Sequence, residues 1–190
     1  MIALIIGIVL IGTVAMGPMM SNVETPKYNL VQSDSNIDIR KYESIIVAEV
    51  NIDVKNEDAL AEGFRLLADY IFGNNATKKD IAMTAPVLKQ LNGDTWNISF
   101  VMPSEYKMDS LPKPLNDRVK LKRIRAKKFV VIAFSGRNSD YNLELHEEKL
   151  MKYIKSNNLS VTGSPKYAFY NPPWTLPFMR RNEIMFEIRY

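Results

Sequence analysis

The sequence predicts an α+β domain assembled from two β-α-β-β units, preceded by a short hydrophobic segment. Three observations carry this. Apolar residues switch between period-2 alternation and helical spacing, the order of elements recurs after about 80 residues, and the N-terminal stretch is uncharged. With 46% hydrophobic and 24% charged residues over 190 positions, the chain fits one globular domain with a sizeable core and a short appendage.

In the first unit, Tyr28 to Val31 and Ile37 to Tyr42 have strand character, and Ser44 to Val50 is an apolar run with β-branched residues. A helix follows, from near Asn56, a good N-cap with Glu57 and Asp58 in the first turn, to a stop at Gly73. Leu60, Phe64, Leu67 and Ile71 recur at helical spacing and share one face. Ile81 to Leu88 and Trp96 to Met102 read as two further strands. The second unit repeats this order: a long strand from Val119 to Phe134, a helix from Tyr141 to Ile154, and strands from Pro165 to Tyr170 and from Glu183 to Arg189. Ile45-Ile46-Val47-Ala48 before one helix is echoed by Val130-Val131-Ile132-Ala133 before the other. Two such units form a curved, mainly antiparallel sheet with the helices packed against it. Closure into a distorted barrel removes the exposed edges.

Met1 to Val23 carries no charged side chain, and Ile2 to Ile11 is almost continuously aliphatic. Twenty residues at helical rise cross a bilayer core of about 30 Å, so residues 1–22 are expected to be a single-pass membrane anchor. A cleaved signal is the alternative, with Ala15-Met16-Gly17 offering a cleavage site but no basic n-region ahead of it, and a buried core element is the third. The expected localisation is therefore membrane-anchored, or exported if the segment is cleaved, with the folded domain at residues 28–190.

Without cysteine, disulfides, thiolate zinc sites, iron–sulfur clusters and a cysteine nucleophile are excluded. The single histidine, His146, leaves no His–His metal motif. The net charge of +4 comes from one stretch, Arg118 to Lys128, which holds seven basic residues and no acid. Without it the chain is net acidic, which argues against a nucleic-acid-binding face. The stretch reads as a solvated edge strand kept monomeric by charge, or as a contact for anionic lipid headgroups. The eight glycines form neither a Walker loop nor a dinucleotide fingerprint, and no catalytic motif is present. The sequons at Asn75, Asn97 and Asn158 are adequately explained by chance.

Three longer segments are more specific: Ile81-Ala82-Met83-Thr84-Ala85-Pro86-Val87, Phe100-Val101-Met102-Pro103 leading to Leu111-Pro112-Lys113-Pro114, and Tyr170-Asn171-Pro172-Pro173-Trp174 with Arg180-Arg181-Asn182-Glu183. Together with Phe134-Ser135-Gly136, they resemble the SOUL haem-binding protein family over roughly residues 28 to 189. The resemblance implies a twofold-repeated β-α-β-β domain forming a distorted barrel flanked by two helices. It also implies non-covalent binding of haem or porphyrin in an apolar depression beside the first helix, bordered by the loop before the last strand. Carried onto this chain, the helix wall uses Leu60, Phe64, Leu67 and Ala68, and the loop uses Trp174, Leu176 and Phe178.

A porphyrin needs aliphatic or aromatic walls and cationic donors for its propionates. Phe64, Trp174 and Phe178 are candidates for the walls and Arg180 or Arg181 for the donors. The same residues also have plainer readings: Leu60, Phe64 and Leu67 as core, and the arginines as partners of Glu183 or another carboxylate. Arg65 and Asp69 put charge on the first helix, and no histidine lies near it. Projection of the second helix puts His146 at the edge of its apolar arc, as a structural or surface histidine in preference to an iron ligand. The expected function is binding of haem or a related tetrapyrrole, as carrier or buffer at the cell envelope, without catalysis. The alternative is a binding module for another hydrophobic effector or a protein partner. An enzymatic reading has only Glu183 or Tyr170 as acid–base groups.

Overall fold

A computed structural model describes residues 23–189. Their strands form a single antiparallel sheet of nine: β1 Tyr28–Asp34, β2 Ile37–Tyr42, β3 Ile45–Asp53, β4 Val87–Asn92, β5 Thr95–Val101, β6 Lys120–Ile124, β7 Lys127–Phe134, β8 Val161–Phe169 and β9 Asn182–Ile188. The order across the sheet is β1-β2-β7-β9-β8-β4-β5-β3-β6. Helix α1, Ala59–Ile71, joins β3 to β4, and helix α2, Asp140–Ser156, joins β7 to β8.

The sheet curls but does not close. Glu43 and Ser44 alone join β2, second in the order, to β3, second from the other end. Arg125 and Ala126 alone join β6 at the far edge to β7. Three residue steps reach about 11 Å, whereas six strand spacings on a flat sheet measure about 29 Å, so the two halves must bend toward each other. The edge strands β1 and β6 nevertheless do not pair, which corrects the expected barrel. Every residue of β1 is exposed, Leu30 and Val31 among them, whereas the β6 edge is protected by composition, since Lys120, Lys122 and Arg123 stud it with charge. The basic stretch is in part this edge strand.

The inner face carries Tyr42, Val47, Leu88, Val101, Phe129, Val131, Ala168 and Met185. The outer face carries two larger clusters, one per helix. Ala59, Leu67, Tyr70 and Ile71 of α1 bury against Val50, Ile98 and Phe100. Leu143, Leu150 and Ile154 of α2 bury against Val130, Ile132 and Ile184.

Three local expectations change. The long strand Val119 to Phe134 is two strands in opposite halves of the sheet. Strand character begins at Val87 and not at Ile81, because Thr84 and Ala85 are held by other segments: the Thr84 hydroxyl donates to the Val101 carbonyl (2.7 Å) and the Ala85 amide to the Glu24 carbonyl (2.9 Å). Helix α1 starts at Ala59, after turns in which Asn56 Oδ1 accepts from the Asp58 amide (2.9 Å) and Asn56 Nδ2 donates to Glu62 (2.6 Å). Asn75, in a sequon, is fully buried and donates to the carbonyls of Tyr70 and Lys79.

The expected membrane localisation is also overturned. Among the described residues no helix is long and apolar enough to cross a membrane. The run Met1 to Asn22, on which that expectation stood, lies outside them, so neither an anchor nor export by its cleavage is supported.

Candidate functional site

Helix α1 packs on β3 and β5, and α2 packs on β7 and β9; neither packs comparably on β4 or β8, the two strands between. The outer face of the sheet is therefore a groove floored by β4 and β8 and walled by the two helices. Residues opposite one another on neighbouring strands share a face, so the pairing fixes what lines it. One row runs Phe134, Asn182, Phe169, Val87, Phe100. The next runs Ile132, Ile184, Tyr167, Lys89, Ile98. Phe134, Phe100, Ile132, Ile184 and Ile98 are buried beneath the helices, whereas Val87, Phe169, Tyr167 and Lys89 are only half-buried.

Phe64 of α1 stands at one wall of the first row. Its ring meets Phe100 edge-on at 5.2 Å and remains 38% exposed. Leu60 and Ala68 are half-buried, and Leu67 has no exposed surface, so it belongs to the core and not to a ligand wall. The close approach of α1 is made by Gly63, at which an added Cβ would lie 2.6 Å from Ile98 Cγ1. This turns the helix so that Ala59, Gly63, Leu67 and Tyr70 face the sheet and Phe64 points toward the groove edge.

The loop from Tyr170 to Arg181 leaves β8 just past Phe169. Trp174, Leu176 and Phe178 are 59%, 49% and 74% exposed. The loop is nonetheless tied down. The Gly136 amide donates to the Pro177 carbonyl (2.8 Å), Asn182 Nδ2 donates to the Gly136 carbonyl (3.0 Å), and the Arg181 amide donates to Asn171 Oδ1 (2.7 Å). Arg180 staples it from within, its Nε donating to the Thr175 carbonyl (2.7 Å) and its Nη2 to the Pro173 carbonyl. Arg181 pairs with Glu183 (2.7 Å) and lies 4.1 Å over the Tyr170 ring. Both arginines expected to greet a propionate are thus engaged by the protein.

His146 stacks on Phe134, with ring centroids 4.0 Å apart and planes at 9°, and its Nδ1 lies 2.8 Å from the Asn142 carbonyl. On the α2 side of the groove, the Tyr167 hydroxyl donates to Glu147 (2.7 Å). Burial and then this carboxylate push the Tyr167 phenol well above its usual range. On the floor, Lys89 lies 4.0 Å over the ring of Trp96. Burial holds its ammonium below the ordinary lysine range. Val87, Lys89, Trp96, Tyr167 and Phe169 were not singled out from the sequence as site residues; the alternation Val87-Leu88-Lys89-Gln90-Leu91 marks a two-faced strand but not which face stays uncovered.

The inner face holds a buried charged cluster. Glu183, fully buried, accepts from Arg40 Nη1 (2.8 Å), from Arg181 and from the Tyr170 hydroxyl (2.8 Å), and Arg40 also donates to Asp38 (2.6 Å). Burial alone would weaken the Arg40 guanidinium, but Glu183 more than offsets it and Arg40 stays charged. Burial and the Glu183 charge drive the Tyr170 phenol far up, so it stays protonated as a donor to Glu183. A separate apolar depression opens at the seam of the curled sheet, lined by Tyr42, Ile45, Ile124, Phe129 and Met185.

The SOUL heme-binding protein family model matches residues 23–187. This chain belongs to the SOUL heme-binding protein family. By its description the family is one of heme-binding proteins. None of the curated proteins compared with the sequence matches it. Among solved structures, the EcmrR C-terminal domain superposes on this SOUL domain with a TM-score of 0.63 at 13% identity, over 85% of this chain and 98% of that one. A hydrolase from Listeria innocua gives 0.55 at 11% identity, over 84% and 94%. A chain of an EcmrR–DNA complex gives 0.61 at 13% identity, over 80% of this chain and 57% of that one. At these identities the likeness shows the fold alone.

Proposed function

We propose that this SOUL protein binds haem or a related tetrapyrrole non-covalently in the groove between α1 and the Tyr170–Arg181 loop, as a carrier or buffer. The observation that carries the reading is the uncovered stretch of the first row. Phe169 and Val87 lie open beside Phe100 and its partner Phe64, and two strand spacings make this floor about 10 Å wide. A flat apolar ligand gains by covering such a floor, and exposed Trp174, Leu176 and Phe178 on an anchored loop are suited to close over it. The residues fit a macrocycle held by its faces.

The two units are read here as copies of one plan. Supporting this, β3-α1-β4-β5 lie in the sheet as β4-β5-β3 and β7-α2-β8-β9 as β8-β9-β7, so the groove falls where the copies abut. The alternative reading is a module for another hydrophobic effector, for which the seam depression is the competing location.

Titration of the purified protein with haem is the test, followed by the Soret band. Phe64→Asp is expected to weaken binding at least tenfold more than Phe64→Leu, because its charge must be desolvated at about 1.4 kcal/mol per factor of ten. If the parent develops no Soret change, the tetrapyrrole reading fails. If both variants stay folded and bind like the parent, the site is elsewhere, and Met185→Asp at the seam becomes the variant that decides.

A further inference from the structure

We propose that Lys89 is the acid-recognising residue of the groove, so that the ligand class is a flat apolar molecule bearing a carboxylate and not a neutral one. The inference rests on the groove reading above and names the polar half of that ligand. The starting point is a missing partner. Propionates in an apolar groove need a cation, and the two arginines of the loop are occupied, Arg180 by the Thr175 and Pro173 carbonyls and Arg181 by Glu183.

Lys89 has the right position. It shares β4 and its outward face with Val87 and stands two residues along, about 7 Å away. A ring lying on Val87 and Phe169 therefore reaches it with a short side arm. Its neighbours across the strands are Tyr167 and Ile98, so it stands at the centre of the floor.

It also has the right chemistry. The ammonium rests on the Trp96 face, which satisfies charge from one side but accepts none of its donors as a carboxylate would. Among the described residues it makes no hydrogen bond and no ion pair. Asp140, at the start of α2, favours its charge only from beyond ion-pair distance. The other groove carboxylate, Glu147, is taken by the Tyr167 hydroxyl. A half-buried cation with uncommitted donors, fixed by an aromatic ring beside an open apolar floor, is a built receptor for one acid group.

The test compares mesoporphyrin with its dimethyl ester, both iron-free so that metal ligation plays no part, on the full chain and on Lys89→Met and Lys89→Arg. The parent is expected to prefer the diacid by about tenfold or more, the worth of one charge-assisted hydrogen bond. Lys89→Met should lose that preference while binding the ester as the parent does, and Lys89→Arg should keep it. A preference that persists in Lys89→Met, or ester affinity that falls with it in a folded variant, overturns the role of Lys89 alone. A parent that binds neither porphyrin overturns both this role and the groove reading.

Discussion

Glu183 shows how a residue singled out for chemistry can turn out to hold the sheet together. It joins β9 to Arg40 on β2 across the intervening β7, with Arg181 and Tyr170 completing its shell. Arg40 and Glu183 are 4% and 0% exposed, so each is tolerable only because the other is present. Glu183→Ala is expected to cost about 3–5 kcal/mol in urea denaturation, because it leaves the Arg40 charge buried and uncompensated. The double variant Arg40→Met with Glu183→Met should recover most of that loss. A cost under about 1 kcal/mol for Glu183→Ala would mean that water reaches Arg40 and the pair is not coupled. The pairing of Arg181 with a nearby carboxylate was legible in the sequence, since the two lie two residues apart. The pairing of Arg40 was not, because 143 positions separate it from Glu183.

Among the elements, α1 shows where a sequence pattern points to the right helix and to a face turned slightly from the one that packs. Leu60, Phe64, Leu67 and Ile71 mark an apolar stripe, of which Leu67 and Ile71 are buried and Leu60 packs at the margin, while the buried face also takes in Ala59, Gly63 and Tyr70 and leaves Phe64 38% exposed. Gly63 lets the helix backbone approach Ile98, and Phe64 lies to the side against Phe100. Gly63→Ala tests the argument with an unusual sign. Helix propensity alone favours alanine by about 1 kcal/mol. The new methyl, however, would sit 2.6 Å from Ile98 Cγ1, and overpacking of this kind costs about 1–3 kcal/mol. A thermal melt should show a lower Tm by a few degrees, with α1 loosened; a rise in Tm would mean that α1 rides on the sheet more loosely than its geometry requires. The strand break at Arg125 and Ala126 belongs to this scale as well. Val119 to Phe134 alternates well enough to be one strand, and only the different partners of its halves, β3 for one and β2 with β9 for the other, divide it.

For the whole molecule, the chain start that matters is Glu24. It bridges to Thr84, its carbonyl accepts from the Ala85 amide, and its carboxylate accepts from the Ser104 amide (2.9 Å). A fragment lacking residues 1–22 is therefore expected to unfold in one cooperative transition, with circular dichroism and tryptophan fluorescence superimposable. A fragment starting at Tyr28 should melt lower, since it loses those ties. Two separated transitions in the longer fragment would instead mean that the two halves of the sheet fold independently and that the short links at Glu43–Ser44 and Arg125–Ala126 do not couple them.

The sequence by itself determined the class and, apart from the division of Val119 to Phe134 into β6 and β7, the order of elements: α+β, a helix after β3 and another after β7, strands with two faces, and three spaced motifs that resemble the family. These are local properties, set by the period of apolar residues, by Gly73 and the prolines, and by residues adjacent in the chain. Only the tertiary structure decided that the sheet stays open at β1 and β6, that β4 and β8 go uncovered by either helix, and that Lys89 meets no carboxylate. Each of those depends on which groups meet across many tens of residues. The free energy that selects among such meetings comes from burial of apolar area and pairing of polar groups in three dimensions; the apolar period marks which residues face inward but not which partner they meet.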